Sequence, residues 1–85
     1  MKEFSFVIQD PAGIHARPAG ILVKQAMTFQ SAVRILKGDK TGDLKRIFSV
    51  MALGAKQGDH LTVQVEGPDE EQAAAALENC FKEHL

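Results

Sequence analysis

The sequence has little cysteine and no excess of either charge, and both shortages exclude classes of protein. Cys80 is the only cysteine, so no internal disulfide can form, and no cysteine or histidine lies near it at zinc-finger spacing. We expect Cys80 to pack in the core, and we predict neither a metal site nor a cofactor. The net charge is −1, from 10 Lys and Arg against 11 Asp and Glu. Such a balance gives no basic surface for nucleic acid, which is therefore not an expected partner.

Long apolar runs are also missing. No uninterrupted apolar segment approaches the roughly 20 residues that span a bilayer, so membrane insertion is not expected. The amino terminus, Met1-Lys2-Glu3, lacks the apolar stretch of a secretory signal, and we expect a cytoplasmic protein. A length of 85 residues with 45% hydrophobic composition suits one folded domain spanning residues 1–85, and we expect that domain to be a monomer.

Hydrophobic periodicity divides the chain into strands and helices. Three segments alternate apolar and polar residues as half-buried strands do, and they cover residues 4–8, 31–36 and 61–65. A turn at Gly38-Asp39-Lys40 leads into a fourth strand, short and weak, near residues 41–43. Three further segments repeat apolar residues at helical spacing. The first begins at Ala16. The second contains Leu44, Ile47, Phe48 and Met51 and ends at Gly54. The third follows Pro68, which suits a first helical turn. The order strand, helix, strand, strand, helix, strand, helix predicts an α+β fold.

Every predicted element has one apolar face, and all of these faces need partners. A single four-stranded sheet covered on one side by helices is the simplest arrangement that buries them. By pattern alone, a ferredoxin-like arrangement with an extra terminal helix is a candidate. Periodicity does not fix the order of the strands in the sheet.

Candidate chemistry concentrates in the segment Gly13-Ile14-His15-Ala16-Arg17-Pro18-Ala19. His15 lies where a loop becomes a helix, and the first N–H groups of a helix have no acceptors within it. Those N–H groups and the positive end of the helix dipole form an anion site, worth about 0.3–1 kcal/mol when exposed. Arg17 adds a planar fork of donors that matches phosphate oxygens. The segment therefore suits a phosphoryl group carried on His15.

The surroundings also favour a neutral imidazole, whose lone pair can attack phosphorus, because nearby positive charge disfavours imidazolium. Pro18 is tolerated in a first helical turn, and Gly13 permits an unusual backbone turn beside the ring. A histidine before a helix is nevertheless most often a surface residue or a helix cap, and an arginine two positions later is common. These residues alone leave both interpretations open.

The segment Gly13 to Ala19 resembles the active-centre signature of the HPr family, the histidine phosphocarriers of the bacterial phosphoenolpyruvate-dependent sugar phosphotransferase system. The stretch Ile47 to Gly58 resembles the family's short second helix and its exit. The resemblance implies that His15 is phosphorylated on Nδ1, with Arg17 as its electrostatic partner. It also implies that enzyme I is the donor and the IIA domains of sugar permeases are the acceptors.

The same resemblance implies a fold, an open-faced β-sandwich with four antiparallel strands in the order 1-4-2-3 and three helices on one face. It further implies that partners dock on an apolar patch beside the histidine, formed by Ala16, Gly20, Ile47, Phe48 and Met51. Residues at helical spacing could equally belong to the core. A short helix that is apolar on nearly all sides cannot bury every side chain, however, so we expect one or two of these residues to stay exposed.

Two departures from the family pattern bear on regulation and on the site. Arg46 stands where many members carry a serine that a regulatory kinase phosphorylates, so we predict no such switch; Ser49 lies a turn too far along to replace it. Arg46 also suits a helix start poorly, which makes Asp43 a candidate cap. Ala12 replaces a small polar residue, so the position of His15 is expected to be less constrained.

Alternative functions remain open on sequence grounds. One is a carrier or docking module in a regulatory branch of the same system, either nitrogen-linked or serving a dihydroxyacetone kinase. Another is a binding module that carries no phosphate, although such relatives tend to lack the active histidine. Whether a carrier of this kind counts as an enzyme is undecided. His60 and His84 do not lie at a spacing that pairs them with His15, and we expect both to be ordinary surface residues.

Overall fold

The computed structural model describes residues 1–85 and contains four strands and three helices. In chain order they are β1 (Lys2–Val7), α1 (Ala16–Met27), β2 (Ala32–Lys37), β3 (Lys40–Asp43), α2 (Ile47–Met51), β4 (His60–Glu66) and α3 (Glu70–His84). All seven predicted elements are present and in the predicted order. Pro68 was expected in the first turn of α3, but it precedes that helix, which begins at Glu70. None of the helices combines the length and hydrophobicity needed to cross a membrane.

The strands form one antiparallel sheet in the order β1-β4-β2-β3. In the interior row, Phe4 lies opposite Val63, and Val63 lies opposite Ile35. In the next row, Glu3 lies opposite Gln64, and the Gln64 amide donates a hydrogen bond of 2.9 Å to the Glu3 carboxylate. One face of the sheet is thus apolar and the other polar, as expected for a sheet with helices on a single face. The strand order is the one implied by the family resemblance.

The core lies between the apolar face of the sheet and the helices. Val33, Ile35, Leu61, Val63 and Val65 supply the strand side, and Leu22, Leu77 and Phe81 are fully buried on the helix side. Phe81 meets the rings of Phe4 and Phe6 edge-on, with centroids 5.6 Å away in each case. Cys80 packs in the same cluster, as expected, and burial raises the pKa of its thiol. The residues predicted to face inward are buried in β2 and β4, whereas Phe4 and Phe6 of β1 are half-buried.

The interior face of α2 differs from the prediction. Val50 is the buried residue of this helix, whereas Phe48 is 86% exposed and Met51 is 40% exposed. Leu44 is fully buried but lies before the helix, where its N–H donates to the carbonyl of Val33. This bond fixes the start of the segment on the sheet, and the sheet sets which side of the five-residue helix faces inward. The prediction of one continuous helical stripe from Leu44 to Met51 was therefore wrong.

Asp43 does not cap α2. Its carboxylate accepts a hydrogen bond of 2.9 Å from the Lys45 N–H, within the turn that precedes the helix. Arg46 is the capping residue, and no side chain bonds to the helix start. The poor N-terminal sequence is tolerated because Leu44 and Val50 anchor both sides of the turn in the core.

Asp69 joins the start of α3 to the start of β2. Its carboxylate accepts hydrogen bonds from the N–H groups of Gln30 and Ser31 and from the Ser31 hydroxyl. The Ser31 hydroxyl, followed by the backbone donors, holds the pKa of Asp69 below its usual value. Residues far apart in sequence are thereby tied together through one side chain.

Candidate functional site

The loop between β1 and α1 is held in a tight turn by Asp10. The Asp10 carbonyl accepts a bond of 2.9 Å from the Gly13 N–H, and its carboxylate oxygen Oδ1 accepts one of 2.8 Å from the Ala12 N–H. An aspartate that bonds the backbone two residues later is typical of turns. A side chain from residue 10 thus orders the loop although residue 12 is an alanine. Asp10 therefore constrains the backbone of this loop without a polar side chain at position 12.

Gly13 brings this loop close to the segment that follows α2. Its φ of +68° is in the left-handed region, and a Cβ built at this position would lie 2.5 Å from the carbonyl oxygen of Ala55. The next N–H, of Ile14, donates to that same oxygen at 3.1 Å. Only glycine fits this approach, and it leaves Ile14 buried in the core. His15 is the next residue and points outward.

His15 is the N-cap residue of α1. Its backbone is extended, its carbonyl accepts the Ala19 N–H at 2.9 Å, and its ring makes no capping hydrogen bond. The side chain is 46% exposed. No acidic residue lies in the first turn, and Pro18 in that turn has no N–H to offer. The ring is therefore free beside the open amides of Ala16 and Arg17, at the positive end of a helix of 12 residues.

His15 and Arg17 line one shallow depression. Its other lining residues are Asp10, Pro18, Ile21, Glu83 and His84. Arg17 is exposed and forms no ion pair within the chain. The structure thus brings the two predicted site residues together and leaves the guanidinium available for an anion. No group of three His, Cys, Asp or Glu side chains is arranged to hold a metal ion.

Asp10 and His84 are among the residues of the depression that were not predicted to belong to the site. Asp10 places its carboxylate oxygen Oδ2 3.8 Å from Nε2 of His15. His84 was expected to be an ordinary surface residue, but it is only 35% exposed and shares the depression with His15. The cause is a long-range contact, because the Leu85 carbonyl accepts the N–H groups of Gln9 and Asp10 at 2.7 Å each. No local sequence pattern predicts that His84 lies beside this loop. For Asp10, in contrast, the dipeptide Asp10-Pro11 predicts a turn. His60 is exposed at the start of β4, as expected.

The five residues predicted to form a docking patch lie on α1 and α2, two helices in mutual contact. Ala16, Phe48 and Met51 are exposed, and Gly20 and Ile47 are half-buried. A Cβ built on Gly20 would lie 4.0 Å from the Cδ1 atom of Ile47, so the two helices approach each other at this point. Phe48 is the most exposed large hydrophobic side chain of the protein. An exposed apolar surface therefore adjoins His15.

Comparisons with known proteins agree with this geometry. Residues 2–83 match the family described as "PTS HPr component phosphorylation site". The chain is 41% identical over 85 residues to the phosphocarrier protein HPr of Mycoplasma genitalium, covering 99% of this chain and 97% of the relative. It is 47% identical over 83 residues to HPr of Lysinibacillus sphaericus, covering 98% and 94%. A solved Mycoplasma histidine-containing phosphocarrier protein superposes with a TM-score of 0.94 at 40% identity, covering 96% of this chain and 93% of the other.

Proposed function

Because the chain belongs to the HPr family of phosphocarrier proteins of the phosphotransferase system, we propose that His15 is its phosphoryl acceptor. In this proposal, Nδ1 of His15 takes the phosphoryl group from enzyme I and passes it to the IIA domains of sugar permeases. The observation that carries the proposal is the exposed His15 ring at the open start of α1, beside an unpaired Arg17. Both donor and acceptor proteins need such exposure in order to reach the ring.

The start of α1 suits a phosphoryl group held for a short time. The amides of Ala16 and Arg17 and the helix dipole favour negative charge, by about 0.3–1 kcal/mol at an exposed site. The Arg17 guanidinium adds a charge-assisted pair of donors. A stabilisation of this size favours the phosphorylated form but is small enough for the phosphoryl group to be transferred again. A carrier requires that balance, since the group must leave again for the next protein.

The transfer itself needs an uncharged ring, because only that form has a lone pair on Nδ1. In the accepting step, the lone pair forms a bond to phosphorus while the bond between phosphorus and the donor breaks. The donating step reverses these changes with the acceptor protein. His15 ends each cycle unchanged, so this chain contributes one reactive group and its partners complete the site.

We propose that Ala16, Gly20, Ile47, Phe48 and Met51 form the docking surface for both partners. The exposure of Phe48 and Met51 and their position on a helix in contact with α1 support this role. We also propose that no regulatory phosphorylation occurs at position 46, since Arg46 has no hydroxyl. Ser49 is a poor substitute because its Oγ accepts the Asp43 N–H at 2.8 Å and its side chain is half-buried.

Incubation with enzyme I and phosphoenolpyruvate tests the proposal. We expect one phosphoryl group per chain, labile to acid and stable to base, on wild-type protein and none on His15→Ala. Labelling of His15→Ala would show that another residue is the acceptor. The IIA domain that then takes the label distinguishes sugar uptake from the nitrogen-linked branch, and transfer to a dihydroxyacetone kinase subunit would indicate the third branch.

A further inference from the structure

The two carboxylate oxygens of Asp10 face different groups. Oδ1 accepts the Ala12 N–H and orders the loop, while Oδ2 lies 3.8 Å from Nε2 of His15. The Asp10 side chain is 31% exposed and the His15 ring 46% exposed, so the pair is partly shielded from water. We propose that Asp10 is a positioning residue for phosphoryl transfer, whose carboxylate keeps the proton of the neutral His15 ring on Nε2 and leaves Nδ1 free to attack. This inference rests on the proposed function of His15.

The two nitrogens of a neutral imidazole differ in what they can do. A neutral ring has its proton on one nitrogen and its lone pair on the other, and the group facing one nitrogen decides the choice. A carboxylate facing Nε2 favours the tautomer with the proton there, as carboxylates do for metal-binding and catalytic histidines. The distance of 3.8 Å exceeds that of a direct hydrogen bond, and contacts of this kind commonly tighten when the partner arrives. In the unbound protein the attraction is therefore electrostatic.

The charge balance of the transfer gives Asp10 a second effect. When the Nδ1 lone pair binds phosphorus and the donor bond breaks, Nε2 keeps its proton and the ring becomes cationic. A carboxylate beside Nε2 stabilises that cation. In the reverse step, the electron pair of the N–P bond returns to Nδ1, and the ring leaves as a neutral group. Asp10 thus lowers the barrier to the accepting step, in which the ring gains positive charge, without binding the phosphoryl group.

The other charged groups of the depression do not take this role. Glu83 and His84 come from α3, and the Glu83 carboxylate lies 3.9 Å from Nε2 of His84. Arg17 comes from α1 and carries the opposite charge. Asp10 is the only carboxylate within 4.0 Å of a His15 nitrogen. It also faces the nitrogen that is not phosphorylated, which limits its repulsion of the phosphoryl group.

The test compares Asp10→Asn with a matched control, Glu66→Gln. An asparagine retains an oxygen that can accept the Ala12 N–H but removes the charge facing His15. Glu66 is exposed at the opposite end of β4, so its substitution makes the same change of carboxylate to carboxamide far from the loop. We expect kcat for phosphorylation by enzyme I to fall about 10-fold or more in Asp10→Asn, the usual scale for groups that orient a histidine. KM should stay unchanged, the Asp10→Glu variant should recover part of the rate, and Glu66→Gln should match wild type.

Histidine ¹⁵N NMR of the unphosphorylated protein separates positioning from a merely structural effect. We expect the neutral His15 ring to have its proton on Nε2 in wild type, and the share of the other tautomer to rise in Asp10→Asn. A wild-type ring protonated on Nδ1 overturns the proposal without any variant, as does an unchanged tautomer ratio together with unchanged kcat in Asp10→Asn. This measurement needs no partner protein. Failure of enzyme I to label the wild type would therefore count against the proposed function and leave the test of Asp10 intact.

Discussion

Substitution of Gly13 by alanine measures how strongly the fold constrains the loop that presents His15. Gly13 has φ +68°, and an L residue in the left-handed region costs about 1–2 kcal/mol. A Cβ there would also lie 2.5 Å from the Ala55 carbonyl oxygen and 2.9 Å from the Lys56 Cα, both of which are backbone atoms that cannot swing aside. Overpacking of this kind, which forces the backbone to shift, destabilises the fold by about 1–3 kcal/mol more. The free energy of unfolding of Gly13→Ala should therefore be about 2–5 kcal/mol lower than that of the wild type.

Gly54 supplies the matched control. Its φ is +62°, but a Cβ built there meets no atom within 4 Å. Gly54→Ala should accordingly lose only the backbone term of about 1–2 kcal/mol. The chain contains no Trp or Tyr, so urea unfolding followed by far-ultraviolet circular dichroism is the suitable assay. Equal losses in the two variants would show that the approach of Gly13 to Ala55 does not constrain the loop.

Three further predictions concern the patch and the contacts around it. Gly20→Ala should stabilise the fold by about 0.5–1 kcal/mol in urea unfolding, because alanine favours helix and its Cβ would meet only the Ile47 Cδ1 atom at 4.0 Å. Phe48→Ala should leave the unfolding midpoint unchanged, because the side chain is 86% exposed. It should raise KM for enzyme I about 30-fold, the effect of losing a hot spot of about 2 kcal/mol. An unchanged KM would show that Phe48 is not part of the docking surface. Asp69→Asn should lower Tm at neutral pH, where the carboxylate bound by Ser31 is ionised. The difference in Tm from wild type should shrink as the pH falls below the usual Asp pKa of 3.8, because a lowered pKa stabilises the fold only while the group is ionised. A difference in Tm that stays constant down to pH 2 would contradict this origin.

Most of the secondary structure could be predicted because the strands and long helices each have one apolar face. Leu61, Val63 and Val65 alternate strictly in the sequence and are all fully buried in β4. The short helix α2 was placed correctly along the chain but rotated wrongly. Its five residues make little more than one turn, so the contact of Leu44 with β2, rather than periodicity, decides its orientation.

The site could be predicted only where its residues are close in sequence. His15 and Arg17 lie in one segment with a recognisable helix start, and both line the same depression. His84 reaches that depression because the carbonyl that follows α3 binds the loop after β1, a contact that no local pattern contains. The order of the strands in the sheet also depends on contacts between residues that are far apart in sequence. It came from the family resemblance and not from the alternation of residues.

The central claim is that Nδ1 of His15 carries the phosphoryl group. After phosphorylation by enzyme I and phosphoenolpyruvate, NMR of protein labelled with ¹⁵N-histidine reads the attachment directly through the coupling between phosphorus and nitrogen. Our account predicts this coupling at Nδ1 of His15 and at no nitrogen of His60 or His84. Coupling at Nε2 of His15, or at either of the other two histidines, would contradict it.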